Sequence, residues 1–169
     1  SVGVPVAGAL HRSRYRVLAM LMGADDPLID PPGPPALELL AGKLKLDLDA
    51  DVRFAVVGPA AVTIEGRTMP CDTVLDGHRG ARITVQGTRE GPIYVAIAGW
   101  HAHRVLGSAS SDTFSGLGAK PLAAGDLLGG SSAQSNATTG SFSRALTHRH
   151  GPVRIIPGPM WSSIRDRTW

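Results

Sequence analysis

The first regular pattern along the chain lies in residues 15–22 (YRVLAMLM), where good helix formers are mixed with closely spaced apolar side chains. Gly23 follows directly, as is typical of a helix that ends in a left-handed cap. We therefore predict one short, buried helix. The next segment, 28–36, contains four prolines and one glycine, which predicts a stiff, exposed loop.

From Lys43 onward the pattern changes to alternation of polar and apolar residues, which indicates strands with one buried face. In 43–58 (KLKLDLDADVRFAVVG) three leucines occupy every second position. Three more segments with β-branched residues follow at short spacing: AVTIEG (61–66), ARITVQG (81–87) and PIYVAIAGW (92–100). Glu65–Gly66 is predicted to form a turn at the end of the first. Such spacing is typical of an antiparallel barrel or sandwich, so the sequence predicts a mainly β fold with one short N-terminal helix.

Glycine and serine dominate the segment that follows the last predicted strand. Residues 105–130 are predicted to be mostly loop, with a β-turn at Gly125–Asp126. Residues 129–143 (GGSSAQSNATTGSFS) form a low-complexity linker, which contains too few apolar side chains to pack.

These patterns divide the chain into a β-barrel domain (1–128), a Gly/Ser-rich linker (129–143) and a C-terminal tail (144–169). The tail contains Trp161 and Trp169. Because exposed tryptophans are costly, we expect the tail either to complete the β domain or to dock on a partner.

The composition fits a single hydrophobic core, with 169 residues, 43% hydrophobic and 18% charged. The one cysteine, Cys71, excludes an intrachain disulfide and a multi-cysteine zinc site. No segment reaches the roughly 18 apolar residues of a membrane span, and the first residues lack the pattern of a signal peptide. We expect a soluble protein located in the cytoplasm or in an intracellularly assembled particle.

The net charge of +3 comes from basic residues that are scattered among acidic ones, so nucleic acid is an unlikely partner. The one dense basic group is Arg12, Arg14 and Arg16. In a strand the three would share a face, whereas in a helix they would spread around it. We expect either a solvated surface or contact with an acidic protein partner through this group.

Two His-x-His pairs are weak candidates for a metal site, of which His101 and His103 lie in the β domain. Metal ligation normally needs three or four converging groups, and no acidic residue lies close to either pair in the sequence. GLGAKPLAAGD (116–126) lacks the spacing of a phosphate-binding loop. We therefore expect no metal and no cofactor.

Hydroxyl and carboxyl groups cluster in one part of the predicted loop, at Ser108, Ser110, Ser111 and Asp112. Such groups and the neighbouring amides are suited to binding an anion or an amide substrate. They are equally typical of turns. Substrate binding and turn formation are therefore both open for these residues.

Six segments share their order and spacing with one known family: GVP (3–5), AGA (7–9), LAMLMGAD (18–25), ALE (36–38), VVGP (56–59) and the long segment 93–126. They resemble allophanate hydrolase subunit 2, a family that also includes the Kip antagonist and a 5-oxoprolinase subunit, and the carboxyltransferase subdomains A and B of urea carboxylase. The resemblance implies a cyclophilin-like antiparallel β-barrel. It also implies action on an amide such as urea or 5-oxoproline, together with a sister subunit.

Five positions depart from the family pattern. At each of them the family has a polar residue, which is replaced here by alanine at four positions and by histidine at one. Serine and aspartate are replaced by Ala7 and His11, two asparagines by Ala19 and Ala24, and an arginine by Ala109. A methyl group cannot replace a guanidinium or an amide in recognition. The family's chemistry therefore does not carry over to these positions.

Two functions remain open from the sequence. The first is a divergent subunit of an amide-acting carboxyltransferase or 5-oxoprolinase, working with a sister subunit in a hetero-oligomer. The second is a non-enzymatic structural or assembly protein, such as a component of a virion or another multicopy particle. Fold alone does not choose between them, because function depends on particular sites.

Overall fold

The computed structural model describes residues 8–25, 33–112 and 114–130. These contain one helix, α1 (Arg12–Leu21), and eight strands: β1 (Leu37–Leu39), β2 (Gly42–Asp47), β3 (Val52–Val57), β4 (Ala60–Ile64), β5 (Arg67–Met69), β6 (Thr73–Gly77), β7 (Arg82–Gly87) and β8 (Ile93–Ile97). The predicted fold class, mainly β with a single short helix, is confirmed. No helix in the described part of the chain is long and apolar enough to cross a membrane.

The strands form two antiparallel four-stranded sheets. Sheet A has the order β1-β8-β3-β6, and sheet B has the order β2-β7-β4-β5. Most connections pass from one sheet to the other, so that β4 and β5 are the one pair of consecutive strands that is hydrogen-bonded within the described residues. The turn between them is the predicted Glu65–Gly66, where both residues have positive φ, as in a tight hairpin.

The two sheets are consistent with the cyclophilin-like antiparallel fold that the resemblance implied, but they do not form a closed barrel. No ladder joins the two sheets among the described strands, and each sheet keeps two edges. Two of the four edge strands, β1 and β5, are three residues long. The two sheets instead pack face to face.

The core follows from the two central strands of sheet A. In β3 and β8 most side chains are buried, because one face of the sheet contacts sheet B and the other contacts α1. The larger apolar cluster lies between the sheets and includes Phe54, Ile83 and Val95. The smaller cluster lies under the helix and includes Leu18 and Ala96.

Helix α1 begins three residues earlier than predicted, because the side chain of His11 caps it. The Nδ1 atom of His11 accepts a hydrogen bond from the backbone N–H of Arg14 at 3.3 Å. At the other end, Gly23 has φ +88° and donates to the Met20 carbonyl at 3.0 Å, while Ala24 donates to Ala19 at 2.9 Å. These two bonds form the predicted glycine cap.

The four strand segments expected from the sequence are all present, in β2–β3, β4, β7 and β8. Three strands were missed: β1, β5 and β6. Strands β1 and β5 have three residues each, and β6 (TVLDG) follows Asp72 and contains Asp76. These short segments are extended because they pair with the longer strands β8, β4 and β3. Such pairing leaves little alternation of polar and apolar residues in their own sequences.

A hydrogen-bonded network joins α1 to sheet A. The hydroxyl of Tyr94 donates to Glu38 at 2.5 Å and accepts from the backbone N–H of His11 at 2.7 Å. The same Glu38 carboxylate accepts from the N–H of Leu10 at 2.8 Å. Because Tyr94 is 1% exposed, these partners are what allow its hydroxyl to be buried.

Most of the predicted linker and all of the predicted tail lie outside the described residues, which end at Gly130. The division into a domain (1–128), a linker (129–143) and a tail (144–169) therefore stays a prediction.

We expect Tyr94→Phe to lower the free energy of unfolding by about 1–3 kcal/mol, since it removes the partner of the His11 N–H and one donor to Glu38. Tyr15→Phe is the matched control, because it removes a single bond, from the Tyr15 hydroxyl to the Pro34 carbonyl at 2.8 Å. Urea denaturation of both variants measures the difference. Equal stability of Tyr94→Phe and the wild type would contradict the proposed role of the network.

Candidate functional site

The candidate site is the long irregular segment after β8, here called loop 100–130. Its ends lie side by side, since Trp100 and Gly130 form an isolated antiparallel bridge. The N–H of His101 adds a bond to the Gly129 carbonyl at 3.3 Å. Long loops without regular structure in a compact domain are commonly functional. The predicted loop is therefore confirmed and has a closed base.

Short hydrogen-bonded turns follow one another within loop 100–130. Val105 and Ser108 exchange two backbone bonds of 2.9 and 3.0 Å. The N–H of Asp126 donates to the Ala123 carbonyl at 3.2 Å, which confirms the predicted turn at Gly125–Asp126. The loop thus holds its own shape through local bonds.

The predicted serine and aspartate group takes part in these turns. The Ser108 hydroxyl accepts from the N–H of Ser110 at 3.1 Å. The Asp112 carboxylate accepts from the N–H of Phe114 at 3.1 Å and from the Ser115 hydroxyl. The hydrogen bonds seen for this group are all made within the loop. Substrate binding by Ser108, Ser110, Ser111 and Asp112 stays a prediction.

One glycine fixes the fold of this part of the loop. A Cβ added at Gly118 would lie 2.1 Å from the Ser110 carbonyl oxygen, and the residue has φ +95°. Gly116 also has a positive φ, of +73°, but a Cβ there would meet nothing within 4 Å. The two halves of the serine-rich turn therefore approach each other too closely at Gly118 for any side chain.

The two histidines near the start of the loop, His101 and His103, are both exposed. Across the described ranges, no three His, Cys, Asp or Glu side chains lie close enough together to hold a metal ion. The structure therefore adds no third ligand to this pair, and a metal site here stays a prediction.

The three arginines of the predicted basic contact group lie on different sides of α1, so that one is buried and two are exposed. Arg14 is 4% exposed and donates to the Pro92 carbonyl at 2.8 Å, so this side chain helps to hold α1 on the β7–β8 connection. Arg12 and Arg16 are exposed, and their contact with a partner stays a prediction. Trp161 and Trp169, the other predicted contacts, lie outside the described residues.

Cys71 is half-buried, and its thiol donates to the Ala60 carbonyl at 3.1 Å. Burial, and then the charge of Asp72, raise the pKa of this thiol above its usual value. The protonated form is therefore favoured at neutral pH, which is unlike a nucleophilic cysteine.

Two tyrosines with a raised pKa, Tyr15 and Tyr94, were not identified from the sequence. Burial first, and then the bond to Glu38, raise the pKa of Tyr94 well above its usual value. Burial also raises the pKa of Tyr15, partly offset by the charge of Arg104. The two rings meet edge to face with centroids 6.2 Å apart. A tyrosine inside an apolar strand such as IYVAI is the signal that predicts a buried hydroxyl partner.

The family model of the carboxyltransferase domain, subdomains A and B, matches residues 2–169. The chain therefore belongs to the carboxyltransferase domain family, as the resemblance predicted. No curated protein matches the chain.

Two solved structures show the fold in larger proteins. The crystal structure of TTHA0988 is similar with a TM-score of 0.75 and 26% identity, over 91% of this chain and 30% of that chain. The urea amidolyase of K. lactis is similar with a TM-score of 0.56 and 26% identity, over 64% of this chain and 6% of that chain. This chain thus spans less than a third of the length of either protein.

We expect Gly118→Ala to destabilise loop 100–130 more than Gly116→Ala. Both add strain at a positive φ, of about 1–3 kcal/mol, but only Gly118→Ala also pushes a methyl group into the Ser110 carbonyl. Hydrogen exchange at the amides of residues 108–118 measures the effect. Equal acceleration in both variants would show that the close approach at Ser110 does not hold the loop.

Acid is expected to open the Asp112 turn. The bond from the Ser115 hydroxyl, followed by that from the Phe114 N–H, holds the pKa of Asp112 below its usual value. A carboxyl with a lowered folded pKa stabilises the turn above its unfolded pKa, and this contribution is lost as the pH falls through the folded value.

The change is therefore expected below about pH 4, where an unperturbed Asp carboxyl titrates. The protection factors of the Phe114 and Leu117 amides, which are exchange rates corrected for their intrinsic dependence on pH, measure it across the pH range. In the control variant Asp112→Asn, this pH dependence should disappear, and its persistence would assign the transition to another group.

Proposed function

We propose that this chain is one part of an amide-acting carboxyltransferase assembly, and that further polypeptide supplies most of the groups that carry out the reaction. The proposed substrate class is a small amide, linear or cyclic, such as urea or 5-oxoproline. One of the similar structures is a urea amidolyase, named for its action on urea, and the resemblance to a 5-oxoprolinase subunit adds the cyclic amide.

The observation that carries this proposal is that nearly all of this chain matches the family, whereas the match covers only a small part of a similar protein. The family match extends over residues 2–169, and 91% of the chain superimposes on TTHA0988, yet this is only 30% of that protein. A chain that keeps the family fold over so small a share of a relative is expected to work with additional structure.

The side chains at the positions of the family pattern support the same proposal. Ala19, in α1, is fully buried, and Ala109 is half-buried in loop 100–130. Neither methyl group can polarise or protonate an amide. The hydroxyl and carboxyl groups beside Ala109, at Ser108 and Asp112, are engaged in turns. The catalytic acid, base or oxyanion-binding groups are therefore expected on the sister polypeptide.

A second candidate is a non-enzymatic component of a multicopy particle. The observation that favours it is the exposure of large apolar side chains in loop 100–130, including Leu106, Phe114 and Leu127. Such side chains are typical of surfaces that are covered in an assembly. In this alternative the fold is retained, and its surfaces serve contacts between copies.

The mass and composition of the native assembly, purified from its source through a tag on this chain, distinguish the two. We expect a small hetero-oligomer with one type of sister subunit, which consumes urea or 5-oxoproline, whereas this chain alone does not. The control is the sister subunit assayed without this chain. A large symmetric particle that carries many copies and no sister subunit would overturn the enzymatic proposal.

A further inference from the structure

The side chain of Arg104 links loop 100–130 to the segment before β1. Its Nη1 atom donates to the Gly107 carbonyl at 3.1 Å, within the turn that Val105 and Ser108 close, here called turn 105–108. Its Nη2 atom donates to the Gly33 carbonyl at 3.5 Å, 71 positions away in the chain. A planar guanidinium can hold two acceptors at once in a fixed arrangement. Arg104 therefore reaches out of its own turn to a separate part of the domain.

The next carbonyl along the chain is held from the helix. The Tyr15 hydroxyl, on α1, donates to the Pro34 carbonyl at 2.8 Å. Two successive carbonyls, of Gly33 and Pro34, thus receive bonds from loop 100–130 and from α1. The proline ring fixes the φ angle between them at about −65°, so their relative orientation has little freedom. A shift of one carbonyl therefore moves the other.

The buried hydrogen-bonded network of α1 contacts the same tyrosine. The rings of Tyr15 and Tyr94 meet edge to face, and the Tyr94 hydroxyl is bonded to Glu38 and to the His11 N–H. Burial raises the pKa of Tyr15, and the charge of Arg104 partly offsets this rise. The guanidinium of Arg104, although exposed, therefore lies close enough to the Tyr15 hydroxyl to act on it.

We propose that Arg104 positions turn 105–108 on the domain and couples it to α1. The coupling passes through the Gly33–Pro34 segment to Tyr15. The backbone bonds of the turn lie within it, so they shape the turn without placing it on the domain. Ser108 ends the turn and begins the predicted serine group, which the same contact therefore orients relative to the helix. This inference does not depend on the proposed function.

The first test is hydrogen exchange at the Ser108 amide, which donates to the Val105 carbonyl at 3.0 Å. We expect Arg104→Gln to speed this exchange about fivefold, the effect of one hydrogen bond, because the shorter side chain does not reach Gly33. Tyr15→Phe should also speed it, by about twofold, although the hydroxyl that it removes is bonded to Pro34 and not to the loop. In the double variant the two effects should be less than additive, since both changes break the same connection.

Arg82→Gln is the matched control for this test. It makes the same change of side chain in sheet B, where Arg82 is paired with Asp47, and it should leave the exchange of Ser108 unchanged. Wild-type exchange in Tyr15→Phe, or fully additive effects in the double variant, would overturn the coupling and limit the role of Arg104 to its own turn.

The second test measures the same contact at the Tyr15 hydroxyl. A nearby positive charge favours the ionised form of a tyrosine, so Arg104→Gln should raise the pKa of Tyr15 further. Arg104→Lys keeps the charge but lacks the fork that spans two carbonyls, and it should raise this pKa less. An NMR titration that follows the Tyr15 ring separately from Tyr94 measures the change, and Arg82→Gln should have no effect. An unchanged pKa of Tyr15 in Arg104→Gln would show that the guanidinium does not lie beside the helix, and would overturn the proposal.

Discussion

The pairing of β3 with β8 places two strands at the centre of sheet A whose side chains are buried on both faces. One face carries Phe54, Val56 and Val95 toward sheet B. The other carries Ala55 and Ala96, together with Val57 and Tyr94, toward α1. Burial of this two-sided surface is the largest favourable term available to the domain. Both layers that cover it, α1 and sheet B, are held in place by it.

Helix α1 is fixed on this surface by polar contacts as well as by packing. Tyr94 joins Glu38 to the helix N-terminus, and Arg14 reaches the carbonyl of Pro92. A buried hydroxyl and a buried guanidinium each need partners at defined positions, so these contacts fix the orientation of the helix.

Loop 100–130 has a different character from the sheets. It is shaped by turns at Ser108, Asp112 and Asp126, and it presents apolar side chains outward. The groups that the sequence indicated for substrate binding stabilise the loop, while the surface of the loop is suited to being covered. The chain belongs to the carboxyltransferase domain family and spans 30% of TTHA0988.

Local chemistry made several features readable from the sequence: alternation predicted β2, β-branched segments predicted β4, β7 and β8, and glycine predicted the helix cap. These depend on residues close together in the chain. The exchange of strands between two sheets, the short strands β1, β5 and β6, the burial of Arg14 and the partners of Tyr94 were decided by contacts between separate elements. Packing and hydrogen bonding across 28 to 83 positions leave no periodic trace in the sequence, so only the tertiary structure could decide them.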